Sequence, residues 1–156
     1  MLNVEKMDIV KGTATLNVYQ RLSWWDPGLA WDPSKYSGLN ETFFVTNPVL
    51  KRRIYIPEVY CSSCQSSTFS WTRAQGYYTG QIFWTQYGTL TIIMPYTMDN
   101  FPYDTQTMQM TFYVWGLPNY MATINGGDPP IIIDGNNYVE NVQWNIHSSS
   151  YTHVTE

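Results

Sequence analysis

Charged side chains are scarce in this sequence, and positive ones are the scarcest. Only 13% of the 156 residues are charged, against about 25% in ordinary globular domains. Twelve Asp and Glu against eight Lys and Arg leave a net charge of −4. The only basic cluster is Lys51-Arg52-Arg53, which is too short to release the counterions that drive nucleic-acid binding. The balance of charge therefore excludes a nucleic-acid-binding protein.

Long apolar runs and the usual catalytic motifs are also missing. No segment approaches the roughly 18 consecutive apolar residues of a membrane-spanning helix, and Met1 leads directly into mixed polar sequence without a signal peptide. We therefore expect the chain as given to be soluble. No Gly-x-Ser-x-Gly, His-Glu-x-x-His or phosphate-binding glycine loop occurs. Twelve carboxylates leave a glycosidase-type pair open, but the sequence predicts a protein that is not an enzyme.

Cysteine and histidine are too few for a metal centre. The two cysteines form a single Cys61-Ser-Ser-Cys64 motif, and His147 and His153 are the only histidines. A zinc site needs four such ligands at suitable spacing. We expect neither a metal nor a cofactor, and the cysteines are either two loop thiols or one short-range disulfide. Asn40-Glu-Thr42 is a glycosylation sequon, which matters if the chain is secreted.

Aromatic residues are what the sequence has in abundance. They make up 17% of the chain, with 13 Tyr and 7 Trp, and together with threonine they favour β-structure with large packed surfaces. Helical periodicity is nearly absent. Short alternating runs between turn residues predict an all-β sandwich or barrel in a single domain. The predicted strands are 4–9 and 13–24 as a hairpin, 41–45, 54–60 interrupted at Pro57, 69–73, 80–85, 89–94, 107–115 and 139–148.

One segment, residues 94–108, interrupts the β-rich pattern. Its centre is Phe101-Pro102-Tyr103-Asp104, where proline fixes one φ angle and is a candidate for a cis peptide bond. Asp104 follows an aromatic turn and is placed to cap free backbone N–H groups or to face a basic partner. A compact, partly apolar loop of this kind predicts a docking segment.

Five motifs, in order, resemble the extracellular ligand-binding domain of Cys-loop receptors, the pentameric ligand-gated ion channels. The resemblance covers nearly the whole chain and implies an immunoglobulin-like β-sandwich. The motifs are Trp24-x-Asp26 followed by Leu29-x-Trp31-x-Pro33-x-x-Tyr36-x-Gly38, then Tyr55-Ile-Pro57-Glu58-Val59, Gly80-Gln-Ile-Phe-Trp84, Phe101-Pro-Tyr-Asp-Thr-Gln106 and Val142-Gln-Trp144.

The chain departs from that family at the ends of the signature loop. Animal receptors bracket this loop with two disulfide-bonded cysteines, whereas Met94 and Met108 occupy the corresponding positions here. The resemblance therefore implies a receptor-type loop without its disulfide. The family's amino-terminal helix, last strand and transmembrane region have no counterpart in residues 1–156, which we expect to form one ligand-binding domain.

The resemblance also implies a site and partners. A small ligand, for which an amine is the candidate, would bind between subunits of a homo- or hetero-pentamer on the extracellular face of a membrane. The aromatic of the principal face falls on Trp115, and the aromatic of the neighbouring subunit falls on Tyr19. The tyrosine expected after the Pro57 motif is replaced by Ser62. Phe101, Pro102, Tyr103 and Asp104 would form a loop that transmits binding to a transmembrane domain.

Other readings of the aromatic residues stay open at this point. Trp115 is equally a candidate core residue, and Tyr19 a candidate for interface packing without ligand. Trp24, Trp31 and Trp84 are interpreted as core or subunit-interface residues, and Asp26 and Asp104 as loop-fixing rather than metal-binding. The alternative function is a non-catalytic carbohydrate-binding or structural module, with Trp24, Trp25 and Trp31 as an exposed stacking platform.

Overall fold

A computed structural model describes residues 2–46, 54–118, 121–127, 131 and 143–153. The all-β prediction is confirmed, since the only helices described are two short 3₁₀ helices at Pro27–Leu29 and Pro33–Tyr36. The strands are β1 (Leu2–Asp8), β2 (Thr13–Trp25), β3 (Glu41–Val45), β4 (Val59–Cys61), β5 (Cys64–Phe69), β6 (Arg73–Tyr77), β7 (Gln81–Ile93) and β8 (Phe112–Val114).

The strands form two sheets. The larger has the order β1-β2-β7-β6-β3, with β5 also pairing to β7, and the smaller pairs β4 with β8. The pairs β1–β2, β3–β6, β6–β7 and β4–β8 are antiparallel. By contact pattern the chain forms two compact units, the first comprising 1–18, 57–68 and 88–156 and the second 19–56 and 69–87. The prediction of one domain over the whole chain stays a prediction.

Strand β7 is the longest regular stretch, together with β2. Its thirteen residues alternate strictly, so that every second side chain from Ile82 to Ile92 is buried, as expected for a strand with one face on a core. The sequence prediction of two strands here was wrong. Gly88 lies between the two predicted strands, 80–85 and 89–94, but it occupies a buried position within β7, where a missing side chain leaves the alternation intact.

The second unit is built on a core of five buried residues: Ile54, Ile56, Ala74, Ile82 and Trp84. Leu22, Trp24, Leu29 and Phe44 pack against this core from partly buried positions.

Two positions in the second unit require glycine. A Cβ at Gly76 would overlap the Phe44 ring, so glycine leaves room for that side chain. Gly80 ends the three-residue loop between β6 and β7 at a φ of +86°, which is the left-handed position that such hairpins require.

The first unit contains the predicted hairpin of β1 and β2. Its four-residue turn, Ile9 to Gly12, closes with Lys11 N donating to Asp8 Oδ1 at 3.1 Å. Gly12 adopts a φ of +60°, and its carbonyl oxygen accepts a hydrogen bond of 2.9 Å from Met94 N. The start of the 94–108 segment is therefore fixed to the hairpin turn.

Several predicted strands are shorter than expected or displaced. Because Pro57 cannot donate to a ladder, only residues 59–60 of the predicted strand 54–60 belong to a strand, β4, which ends one residue later at Cys61. The predicted strand 69–73 falls instead on the break between β5 and β6, where the Thr72 hydroxyl donates to Thr85 O at 2.5 Å. Of 107–115 only Phe112–Val114 pairs, and the described part of 139–148, residues 143–148, contains no strand. Strand β5 was missed because its sequence, CQSSTF, is polar and mostly exposed.

Two neighbouring isoleucines in β7 test this packing. Ile92 is 0% exposed and Ile93 is 64% exposed, so one chemical change can be compared inside and outside the core. We expect Ile92→Ala to lower the free energy of unfolding by about 2–5 kcal/mol, since it removes buried methyl groups and leaves a cavity. Ile93→Ala should change the free energy by no more than about 0.5 kcal/mol. Urea unfolding monitored by circular dichroism measures both values, and equal losses would contradict the alternation of β7.

Candidate functional site

Trp115 lies on the small sheet formed by β4 and β8. Its backbone N donates to Glu58 O at 2.7 Å, which extends the pairing of the two strands by one step. Tyr60 and Tyr113 face each other across the sheet, and their ring centroids are 5.2 Å apart. The Trp115 ring lies 5.8 Å from Tyr60 and 6.2 Å from Tyr113. We call Tyr60, Tyr113 and Trp115 the aromatic cluster.

The aromatic cluster is exposed rather than buried in a core. Trp115 is 59% exposed, Tyr60 48% and Tyr113 36%. The alternative that Trp115 is a core residue is therefore wrong. Tilted aromatic rings at these distances present both faces and edges to solvent, and such a surface attracts a cation or a flat apolar group.

Neither tyrosine of the cluster was identified from the sequence. Tyr60 lies three residues after Pro57, and Tyr113 lies two residues before Trp115. Cross-strand aromatic pairs are a known stabilising element of antiparallel sheets, so pairing the two segments in the right register would have found them. The sequence does not show the register between β4 and β8, because the polar Cys61-Ser-Ser-Cys64 turn gives no pattern that marks the end of β4.

The cysteines form a disulfide across that turn. Cys61, the last residue of β4, is bonded to Cys64, the first residue of β5, with a Cα–Cα distance of 5.4 Å. Of the two options left open by the sequence, the short-range disulfide is the one observed. Ser62, which replaces the expected tyrosine, donates from its backbone N to Thr111 O at 2.9 Å.

Tyr19 lies on the exposed face of β2, in the second unit. It is 42% exposed, and its ring centroid lies 5.0 Å from that of Tyr87, which is 43% exposed. Tyr87 was not among the predicted site residues. Both side chains project from exposed positions of alternating strands, so the pair forms a second aromatic surface. Trp115, in contrast, belongs to the first unit.

The 94–108 loop is held together by polar side chains near Asp104. Its Oδ2 accepts hydrogen bonds of 2.8 Å from both the Tyr96 hydroxyl and Gln106 Nε2. Gln106 Nε2 also donates to Thr97 O at 2.7 Å. The interpretation of Asp104 as a loop-fixing residue is confirmed, and its partners are inside the loop. The Trp144 ring packs edge-on against Tyr96 at 6.0 Å.

These hydrogen bonds shift the acidity of both groups. The amide of Gln106, and secondly the hydroxyl of Tyr96, lower the pKa of Asp104 below its ordinary value of 3.8, because they stabilise the carboxylate. The same carboxylate, as acceptor of the Tyr96 hydroxyl proton, raises the pKa of Tyr96 above 10.0. The hydrogen bond between Tyr96 and Asp104 is therefore favoured at pH values above the pKa of Asp104 and below the pKa of Tyr96.

The tip of the loop is apolar and exposed. The Phe101–Pro102 peptide bond is cis, as proposed from the sequence. Phe101 is 70% exposed and Tyr103 is 89% exposed. Val10, at the tip of the hairpin turn to which Met94 is bonded, is 96% exposed. Each of these two tips exposes apolar side chains, which are suited to contact with another apolar surface.

The three tryptophans of the proposed carbohydrate platform, Trp24, Trp25 and Trp31, do not form one exposed surface. Trp24 packs against the core of the second unit and Trp84 belongs to that core, whereas Trp25 follows Trp24 directly and is 59% exposed. Neighbouring residues of a strand point to opposite faces, so Trp24 and Trp25 cannot stack on one sugar. Trp31 is half-buried, and its Nε1 donates to Leu39 O at 2.7 Å. The proposed carbohydrate platform is therefore wrong.

Acidic residues in the described part of the chain fix turns rather than bind metal. Asp26 Oδ1 accepts from Gly28 N at 3.0 Å, and Asp32 Oδ1 accepts from Ser34 N at 3.0 Å, so each caps a 3₁₀ helix. No group of three metal-binding side chains occurs among the described residues.

The basic cluster, Lys51 to Arg53, lies outside the described residues. The described residues include no helix with the length and apolar character of a membrane span.

The titration of Asp104 tests the geometry of the loop. A lowered folded-state pKa means that the ionised carboxyl stabilises the loop above its ordinary pKa, and that this stability is lost as the pH falls through the lowered value. We expect carboxyl-carbon NMR to give a midpoint below 3.8. Gln106→Leu should raise this midpoint more than Tyr96→Phe, because the amide is the larger cause. Tyr103→Phe, a matched change at the exposed tip, should leave it unaltered; an equal shift in this control would refute the assigned partners.

Comparison with known sequences supports the same family that the five motifs suggest. The family model described as the neurotransmitter-gated ion-channel ligand binding domain matches residues 1–156. The neuronal acetylcholine receptor subunit alpha-9 of Gallus gallus is 28% identical over 152 residues, which is 92% of this chain and 29% of that protein. The acetylcholine receptor subunit alpha-like 2 of Drosophila melanogaster is 27% identical over 143 residues, 85% of this chain and 24% of that protein.

A further relative, the acetylcholine receptor subunit gamma of Gallus gallus, is 25% identical over 155 residues, 94% of this chain and 29% of that protein. This chain thus spans less than a third of the length of these curated relatives. The family match confirms the predicted fold class, and it assigns the chain to a ligand-binding family rather than to an enzyme. The chain belongs to the neurotransmitter-gated ion-channel ligand-binding domain family, the extracellular domain of Cys-loop receptors.

Proposed function

We propose that this chain binds a small cationic ligand at the interface between subunits of a pentameric ligand-gated channel, or of a soluble relative of one. The observation that carries the proposal is the aromatic cluster of Tyr60, Tyr113 and Trp115, whose three rings lie within 6.2 Å of one another and are all exposed. Three electron-rich rings close together at the surface are the kind of site that takes an ammonium group.

The proposed ligand is an amine, with a quaternary ammonium as the simplest case. A desolvated ammonium over a Trp or Tyr face gains about 2 kcal/mol or more, and the net charge of −4 of the chain also favours a cation. The relatives are named as acetylcholine receptor subunits, and acetylcholine carries such a group. Choline and acetylcholine are therefore the probes of choice.

Tyr19 is proposed as the contribution of the neighbouring subunit. Its ring pairs with Tyr87 on an exposed strand face, which is the type of surface that a ring of subunits would cover. Apolar and aromatic residues are enriched in the buried centre of such interfaces. A ligand held by the aromatic cluster of one subunit and this pair of the next would stabilise the assembled state.

The 94–108 loop is proposed to transmit binding to a membrane domain on the cell surface. Its tip presents Phe101 and Tyr103, and Val10 of the adjacent hairpin is exposed beside the bonded Met94. Met94 and Met108 stand in place of the family's loop disulfide. We infer that the hydrogen bonds of Asp104 and Gln106 serve instead of a covalent bridge to keep the loop closed.

Substitution of Trp115 tests the ligand site. We expect choline binding, measured by titration calorimetry, to weaken by about 30-fold or more in Trp115→Ala, since a cation–π contact of about 2 kcal/mol is removed. Trp115→Phe should lose less, because an aromatic face remains. Trp25→Ala is the matched control, since Trp25 is also 59% exposed but lies outside the cluster. Equal affinities of wild type and Trp115→Ala would end the assignment of this site.

Assembly can be tested separately by sedimentation. A pentamer would have a mass of about 90 kDa, five times the 18.1 kDa of the chain. We expect Tyr19→Glu to dissociate it, because a buried charge without a partner is costly at an interface. Val10→Glu places the same charge at the hairpin tip and should leave the pentamer intact. A monomer at every protein concentration tested would contradict the ring.

A further inference from the structure

The Cys61–Cys64 disulfide lies directly beside the aromatic cluster. Cys61 is the residue that follows Tyr60, and it pairs with Phe112, the residue that precedes Tyr113. The disulfide is the only one possible in this chain, which contains two cysteines. Its loop is short, with only Ser62 and Ser63 between the bonded residues.

The turn closed by the disulfide is hydrogen-bonded to the residue before β8. Ser62 N donates to Thr111 O at 2.9 Å, and Thr111 N donates to Ser63 Oγ at 3.0 Å. Thr111 immediately precedes Phe112, the first residue of β8. Both hydrogen bonds depend on the conformation of the two serines, and the disulfide fixes that conformation by joining the residues on either side of them.

The sheet that carries the cluster is short. The pairing of β4 and β8 consists of three residue pairs, extended by the bond from Trp115 N to Glu58 O. A two-stranded ribbon of this length is marginally stable in water without additional packing. The disulfide closes the turn between β4 and β5, and this restricts the conformations of the two serines that bond Thr111 at the start of β8.

We propose that the Cys61–Cys64 disulfide holds the aromatic cluster in its binding geometry, so that ligand binding by this domain depends on redox state. The proposal rests on the function proposed for the cluster. In the reduced chain, the turn opens, the bonds to Thr111 are lost, and the β4–β8 register that brings Tyr60 beside Tyr113 and Trp115 is only fractionally populated. Cys61 and Cys64 are assigned as positioning residues, because they act through the geometry of the neighbouring Tyr60, Tyr113 and Trp115.

The reaction requires a dithiol as reductant. Its thiolate attacks Cys64 Sγ, which is half-buried, whereas Cys61 is 6% exposed. The Cys61–Cys64 bond breaks, the Cys61 thiolate leaves and takes up a proton, and a mixed disulfide forms at Cys64. The second thiol of the reductant then displaces Cys64, which is also protonated. Two electrons pass to the protein, and the reductant becomes a cyclic disulfide.

The test compares oxidised protein with protein reduced by dithiothreitol after folding. Choline affinity is measured by calorimetry, and amide hydrogen exchange is measured at Ser62, Thr111 and Trp115. If reduction lowers the binding-competent fraction to about a tenth, the apparent affinity falls about tenfold. We expect this loss together with faster exchange at the three amides. The double variant Cys61→Ser, Cys64→Ser should behave like reduced wild type and should not respond to dithiothreitol.

The two readouts separate this inference from the proposed function. If oxidised wild type fails to bind choline or acetylcholine, the proposed function is wrong, and the redox dependence of binding falls with it. If the oxidised protein binds and reduction leaves the affinity unchanged, the inference alone is overturned, whatever the exchange rates show. Should the double variant not fold, reduced wild type still decides the matter. Ser63→Ala, which removes the bond from Thr111 but keeps the disulfide, is the matched control and should lose less affinity.

Discussion

The alternation of strand β7 is the constraint on which the rest of the structure depends. Its buried face supplies Ile82 and Trp84 to the core of the second unit, and Leu90 and Ile92 to the first. Each fully buried side chain of this kind contributes about 1.5–3 kcal/mol. A register shift of one residue would turn this face to solvent, so the pairing of β7 with its neighbours is firmly specified.

The opposite, exposed faces of the same strands carry aromatic residues, among them the pair proposed to lie at the subunit interface. Tyr87 lies on β7 and Tyr19 on β2, each at a position whose strand neighbours are more buried. This arrangement explains how a chain with 17% aromatic residues can be well packed and still expose rings. Tyr19 and Tyr87 occupy exposed positions of the alternating pattern, whereas the core is filled mainly by Ile, Leu, Val and Ala.

The aromatic cluster and the 94–108 loop of the first unit, for which binding and transmission are proposed, are stabilised by different means. The aromatic cluster depends on a short ribbon and a disulfide at its end, whereas the 94–108 loop depends on hydrogen bonds to one carboxylate. Both are local devices near the surface, where a small change in chemistry has a large effect on geometry. Regions that respond to ligands are generally taken from the less stable parts of a fold.

The sequence by itself determined the all-β class, the β1–β2 hairpin, the loop with Asp104 and the family, because these follow from local alternation, turn residues and ordered motifs. It placed Trp115 and Tyr19 by resemblance but left Tyr60, Tyr113 and Tyr87 unidentified. Only the tertiary structure decided that Gly88 continues a strand, that Trp115 is exposed and that the two cysteines are bonded. Each of these depends on which distant segment lies opposite, and the register between segments is set by the burial of whole strand faces rather than by any local sequence pattern.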